Sequence, residues 1–248
     1  MIFCTDEDTG YIYHMDYLAD FLSPERSNIP IREVVKHDFV FNLVQFLAGQ
    51  LSVEGNTAFA VGHSLYALMS SSNRHYHTPY HILNMFLFAA QHGIKLKDWE
   101  HLAIWFHNAS YIPLAPVDCN QHQSVHFMRA VLPHGYLLSD NGIVNQADRA
   151  IIHTAKRLEE KVPEEYERVL DLDMSIYAAP LRIFDSAMLC LRTEFCTQST
   201  MRRFKVRQRK LLECLLKRPS VFRTPMFQQK FDVNSHDNAE RALKEATF

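Results

Sequence analysis

The sequence predicts an all-α protein: one helical domain over residues 31–248, preceded by an extension over 1–30. Three observations carry this. From Ile31 onward, apolar residues recur at three- and four-residue spacing, the period of an amphipathic helix. Prolines and glycines such as Pro79, Gly93, Pro133, Pro163, Pro180 and Pro219 fall at the ends of these stretches. The chain also has only seven glycines in 248 residues, fewer than turn-rich β architectures use.

In the extension, Ile2 to Thr5 and Tyr11 to Met15 flank an Asp8-Thr9-Gly10 turn, the pattern of a short β-hairpin. The first helical stripe is Val34, Val35, Phe39, Leu43, Phe46 and Leu47, with Gly49 at its end. A second helix is expected from about Asn56 to Ser70, followed by a Ser70-Ser71-Ser72-Asn73 turn. Thr78-Pro79 then reads as a hydroxyl cap with proline in the first helical turn, and Gly93 as the left-handed stop. Asp98 is the expected cap of Trp99 to His107. Pro113 and Pro116 break the chain into a loop. Helices follow over Asn120–Leu132, Asn145–Arg157, Pro163–Leu170, Leu181–Phe195 and Thr200–Arg218. Asn234 or Ser235 is the expected cap of a last helix through Glu245. The sum is roughly nine to eleven helices in one layered domain.

Composition bounds the function classes. Hydrophobic residues make up 47% and charged residues 22%, ordinary for a globular chain. A formal charge of −2 gives no global field towards nucleic acid or membrane, so neither is an expected partner. Five scattered cysteines form no C-x-x-C pair, which speaks against a disulfide framework or a thiolate zinc site. The acidic start Met1-Ile2-Phe3-Cys4-Thr5-Asp6-Glu7-Asp8 lacks the basic-then-apolar order of a signal peptide, and no apolar stretch is long enough for a bilayer. The expectation is a cytoplasmic protein.

Chemistry concentrates at Arg74-His75-Tyr76-His77-Thr78-Pro79-Tyr80-His81. His81 falls in the first turn of an apolar helix and His77 on the loop entering it. Two imidazoles so placed can converge on one point that is held still and partly dry, as a metal ligand or general acid requires. The chain has 14 histidines, so a local cluster alone is weak, and a histidine near a helix end is more often a cap or surface group. Two further elements strengthen it: Trp105-Phe106-His107-Asn108 at the end of an apolar run, and Leu170-Asp171-Leu172-Asp173-Met174, two carboxylates among aliphatics.

In this order the residues resemble the HD superfamily of metal-dependent phosphohydrolases. The nearest likeness is to its predicted-phosphohydrolase branch, whose Tyr-His-x-x-x-His opening is similar to that of cyclic nucleotide phosphodiesterases. The matching pieces are Arg74-His75-Tyr76-His77 with His81, Ala103-Ile104-Trp105-Phe106-His107, Ile151 with Thr154, and Asp171-Leu172-Asp173. Leu191-Arg192-Thr193-Glu194-Phe195 and Ala239 to Glu245 also match. The resemblance implies a single HD-domain helical bundle. It implies His81, His107 and Asp173 as ligands of a divalent metal (Mn, Fe, Mg, Ni or Zn), with Asn108 beside them. His77 would be the general acid, and Arg74 would touch phosphate. Imidazole with carboxylate suits such metals on chemical grounds as well, and a metal-bound water is a hydroxide source near neutral pH.

The departures from the family pattern matter equally. The dyad is His107-Asn108 rather than His-Asp, which removes a charge from the metal's surroundings. An Asn-Glu pair of the branch is here Asn120-Gln121, with Ser124 following, and Arg157 stands where the branch places a histidine. Gln121 and Arg157 join Arg74 as candidate substrate contacts. The expected function is hydrolysis of a phosphate ester, a nucleotide foremost, on a weakly held metal. The alternative is a catalytically inactive HD-like protein, its metal lost, that binds a nucleotide or a protein partner. His122 and His126, one helical turn apart, with His153, are candidates for a second metal, as HD-type diiron oxygenases require; a polar helix face is the preferred reading. The run Arg202 to Lys210 is read as the solvated face of a helix whose Phe204, Leu211, Leu212, Leu215 and Leu216 pack inward, in preference to a phosphate-facing patch.

Overall fold

The computed structural model of the chain describes residues 3–5, 12–14, 31–133, 142–156 and 161–247. Strands β1 (Phe3–Thr5) and β2 (Ile12–His14) pair antiparallel, Cys4 opposite Tyr13. The Asp8-Thr9-Gly10 turn expected between them lies outside the described residues. From Ile31 the architecture is all-α, with ten α-helices among the described residues. These are α1 (Ile31–Gln45), α2 (Gly55–Met69), α3 (Pro79–Gln91), α4 (Asp98–Phe106) and α5 (Cys119–Val131). The others are α6 (Gly142–Ala155), α7 (Glu164–Asp173), α8 (Leu181–Cys196), α9 (Met201–Leu216) and α10 (Pro225–Thr247). A 3₁₀ turn, Ser175–Ala178, joins α7 to α8. No described helix is long and apolar enough to cross a membrane.

The bundle is built around α4, whose residues from Trp99 to Phe106 are all buried. Helices apolar all round occur only where neighbours cover every side, and here α3, α5, α6 and α7 do so. Trp105 meets Phe39 of α1 edge-on at 5.1 Å and Phe86 of α3 at 4.7 Å. His101 stacks between Phe46 and Phe86, each ring centroid 5.3 Å away. One charge is buried with this helix: Glu100 accepts from Arg168 Nε at 2.8 Å and Nη2 at 2.5 Å, a bidentate pair that pins α7 to α4.

Several helix ends differ from the sequence expectation. The stripe of α1 is buried at Val35, Phe39, Leu43, Phe46 and Leu47, but Gly49 does not end the helix. It sits inside a π-helical turn, Phe46–Gln50, closed by Leu51 N–H on Phe46 O at 3.2 Å. Asp98 is the first residue of α4 rather than its cap; Lys97 holds the cap position and its N–H donates to Glu100 Oε2 at 2.7 Å. Thr78 occupies the cap position of α3 without a side-chain cap bond. The last helix begins at Pro225, not at Asn234 or Ser235. Asp171, on α7, accepts from the N–H groups of Arg223 and Thr224 at 2.8 Å each and from the Thr224 hydroxyl at 2.7 Å. A carboxylate distant in sequence thus satisfies the amides entering α10, and proline is suited to the first helical position. Burial nevertheless pushes the Asp171 carboxyl up to about 6, against those donors. Gly93 does act as the stop of α3: its φ is +63°, and Ile94 N–H closes on Ala89 O at 2.9 Å.

Candidate metal centre

Three helix ends meet at one buried point. His81 stands in the first turn of α3, His107 at the C-terminal cap of α4, and Asp173 is the last residue of α7. His81 Nε2 lies 3.2 Å from His107 Nε2 and 3.1 Å from Asp173 Oδ1, and His107 Nε2 lies 3.5 Å from that same oxygen. These ligand atoms are all within 4.8 Å of one another, and the group could hold a metal ion. Two of the three elements present their carbonyl ends here, which favours a cation.

The tautomer of His107 suits coordination, whereas His81 Nε2, which faces the acceptors Asp173 Oδ1 and His107 Nε2, carries a proton that a metal would displace. His107 Nδ1 is 2.9 Å from Ile104 O. A carbonyl can only accept, so Nδ1 carries the proton and Nε2 turns its lone pair to the site. Burial lowers His81 to about 4, although Asp173 pulls the other way, so its imidazole is neutral near pH 7. Neutral imidazole is the form that binds metal. Asn108, buried next to His107, donates through Nδ2 to His107 Nε2 at 2.6 Å. Its amide thus faces the triad, as the sequence places it, but it occupies a lone pair that a metal would need.

His77 is held by a device the sequence reading gave no role. Glu194, buried on α8, accepts at Oε2 from the N–H groups of His75, Tyr76 and His77, each at 2.9 Å. Its Oε1 is 2.5 Å from His77 Nδ1. Burial alone would raise this carboxyl, but the facing His77 and the main-chain donors outweigh it and lower it to about 2. An ionised Glu194 therefore fixes a proton on Nδ1 of His77 and leaves Nε2 outside this contact. The imidazole stacks on Tyr111, centroids 3.8 Å apart, and its ring lies 5.8 Å from that of His81.

Arg74, expected to touch phosphate, engages the main chain in this structure. Its guanidinium donates to three main-chain carbonyls: His77 O at 3.1 Å, Asn108 O at 2.6 Å and Ala109 O at 2.8 Å. It clamps the loop entering α3 to the corner that carries His107 and Asn108. Burial pushes its affinity for the proton down, while Glu194 and Tyr111 act the other way. Gln121 is half-buried in the first turn of α5 and does not line the pocket beside the triad. The neighbouring face of α5 anchors a loop instead. Asn120 exchanges two hydrogen bonds with the main chain of Ile112, and the Ser124 hydroxyl accepts from Ser110 N–H at 3.0 Å. Arg157 lies outside the described residues.

The remaining candidates separate from the centre. His122 and His126 are exposed, and His153 stacks on Tyr166 at 5.0 Å. Among the described residues, His81, His107 and Asp173 are the one group of such ligands that converges. On α9, Leu212 and Leu215 are buried while Arg202, Arg203, Arg209 and Lys210 face solvent. Arg207 donates to Pro113 O at 2.7 Å, which ties α9 to the loop after α4. Cys119, Cys190, Cys196 and Cys214 are free thiols. No family model and no curated protein sequence matches this chain.

Proposed function

We propose that the chain hydrolyses a phosphate ester at a single divalent metal held by His81, His107 and Asp173. The observation that carries this is the convergence of those three side chains, buried, beside a histidine whose Nδ1 proton is held by an ionised carboxylate. Two imidazoles and one carboxylate leave open positions on a four- to six-coordinate ion. They suit Zn, Fe, Mn or Ni better than Mg, which prefers oxygen. The metal would supply hydroxide near neutral pH and polarise the phosphoryl oxygen. Asp173 offsets part of the dication's charge, and Ile104 O orients His107 through its far nitrogen. Glu194 holds His77 so that Nε2–H can be handed to a departing alkoxide. Turnover of 4-nitrophenyl phosphate that rises with added Mn or Zn, stops with chelator and disappears in Asp173→Asn is the expected result. Turnover indifferent to metal and to Asp173 would overturn the reading.

One observation favours a second reading, a non-catalytic HD-like binding protein. The Asn108 amide already satisfies His107 Nε2, so the polar cluster is stable as a hydrogen-bonded group without an ion. In that case chelator leaves the melting temperature unchanged, whereas a resident metal raises it by mass action.

A further inference from the structure

Beside the triad lies a pocket of about 200 Å³, with His81 and Asp173 in its lining. The volume is somewhat larger than the roughly 150 Å³ cavity that holds one benzene ring. Its walls are chiefly apolar: Leu87, Phe88, Ile176, Ile183, Ala187 and Phe231. Neither lysine nor arginine is among the described residues that line it. Lys230 is near enough to His92 to add to the effect of burial in lowering that imidazole, yet it does not line the pocket. Proteins that hold polyphosphates surround them with guanidinium, ammonium or main-chain N–H donors. Here one dication at the triad would be the main positive charge, enough for one phosphoryl group.

A second observation concerns Asn84, one turn along α3 from His81. Asn84 lines the pocket, and its Oδ1, itself covered, has no hydrogen-bond partner, so that a turn of the amide would bring this acceptor to the cavity. A buried acceptor left unpaired is costly, and a donor brought by a ligand relieves that cost.

We propose that this pocket takes a small, mostly apolar phosphate monoester, of about the size of one substituted ring, whose body carries a hydroxyl or amine that donates to Asn84. Among the described lining residues a nucleoside polyphosphate would find no cation beyond the dication at the triad, so the monoester is the preferred ligand. The fate of the ligand rests on the hydrolase reading above; its recognition does not.

Two measurements test it. In the metal-free protein, ligand-observed NMR gives the affinities of 2-phenylethanol and ethylbenzene, which differ in the hydroxyl. The alcohol-to-hydrocarbon affinity ratio falls on the order of 3- to 10-fold in Asn84→Leu, the worth of one hydrogen bond, and Asn84→Ala, which only removes atoms, shows the same fall. In the Mn-loaded protein, calorimetry shows phenylphosphonate binding tighter than the Mn complex of adenosine triphosphate. A ratio unchanged in both variants, no binding of either neutral probe, or tighter binding of the triphosphate overturns the proposal. Asn84-dependent binding with no turnover of any ester contradicts the hydrolase reading alone; metal-dependent turnover with a ratio unchanged in both variants contradicts the pocket assignment alone.

Discussion

Replacing Glu194 by glutamine removes one buried charge and almost no volume. The glutamine keeps an acceptor oxygen for the N–H groups of His75, Tyr76 and His77, but it loses the charge that faces His77. The native carboxyl is lowered from 4.5 to about 2. At 1.36 kcal/mol per pH unit this gap corresponds to about 3 kcal/mol that ionised Glu194 contributes to the folded state. The sign follows from the direction. A group with a depressed folded value stabilises fully above its unfolded value and loses that contribution as pH falls through the folded one. The native protein should therefore lose about 3 kcal/mol between roughly pH 5 and pH 2 that Glu194→Gln never had. Urea midpoints of both proteins at pH 6, 4 and 3 measure this. At pH 6 the native protein is the more stable, by an amount equivalent to about 6–12 °C in melting temperature for a domain of this size. The difference shrinks steadily on acidification. A gap that stays constant from pH 6 to pH 3 would show that Glu194 acts by shape and not by charge.

Further outcomes follow from the same geometry. Asn108→Asp places a carboxylate beside His107 Nε2 and should raise the affinity for Mn or Fe; calorimetry giving equal affinity in both forms would remove position 108 from the metal's surroundings. His77→Ala should slow turnover of alkyl phosphates by on the order of 10²–10⁴-fold while sparing 4-nitrophenyl phosphate, whose leaving group needs no proton. An equal loss on both would make His77 a structural residue. Asp171→Ala should cost on the order of 1–3 kcal/mol by stranding the amides at the start of α10, read as a lower urea midpoint with metal affinity unchanged.

The candidates were legible from local signatures: Thr78-Pro79 ahead of His81, an apolar run ending at His107, aliphatics around both Asp171 and Asp173; that His81, His107 and Asp173 form one group was what the family resemblance implied. Helix periodicity then decides which way the side chains point. Glu194 was not legible in its role, because that role is set by bonds to main-chain groups 117 to 119 residues earlier in the chain. Its own neighbourhood, Leu191 to Phe195, matched the family pattern, but nothing local says what its carboxylate holds. The start of α10 was misplaced for a similar reason. Asn234 and Ser235 look like caps, but Asp171 satisfies Arg223 and Thr224 from 52 and 53 residues away, and the helix begins there instead. The Ser235 hydroxyl then bonds back to Asp232 O at 2.8 Å inside the helix. Arg74 has a structural role that its position in the sequence did not show. Its charge is where a phosphate contact was expected, yet three carbonyls of the loops around the site engage its guanidinium.

Metal binding by the triad is tested most directly by titrating the chelator-treated protein with Zn or Mn and reading stoichiometry by calorimetry and mass spectrometry. The expected result is one ion per chain, bound with release of heat, and no binding in Asp173→Ala or in His107→Ala. Binding of an ion that survives both substitutions, or no ion bound at millimolar concentration by the native chain, would contradict it.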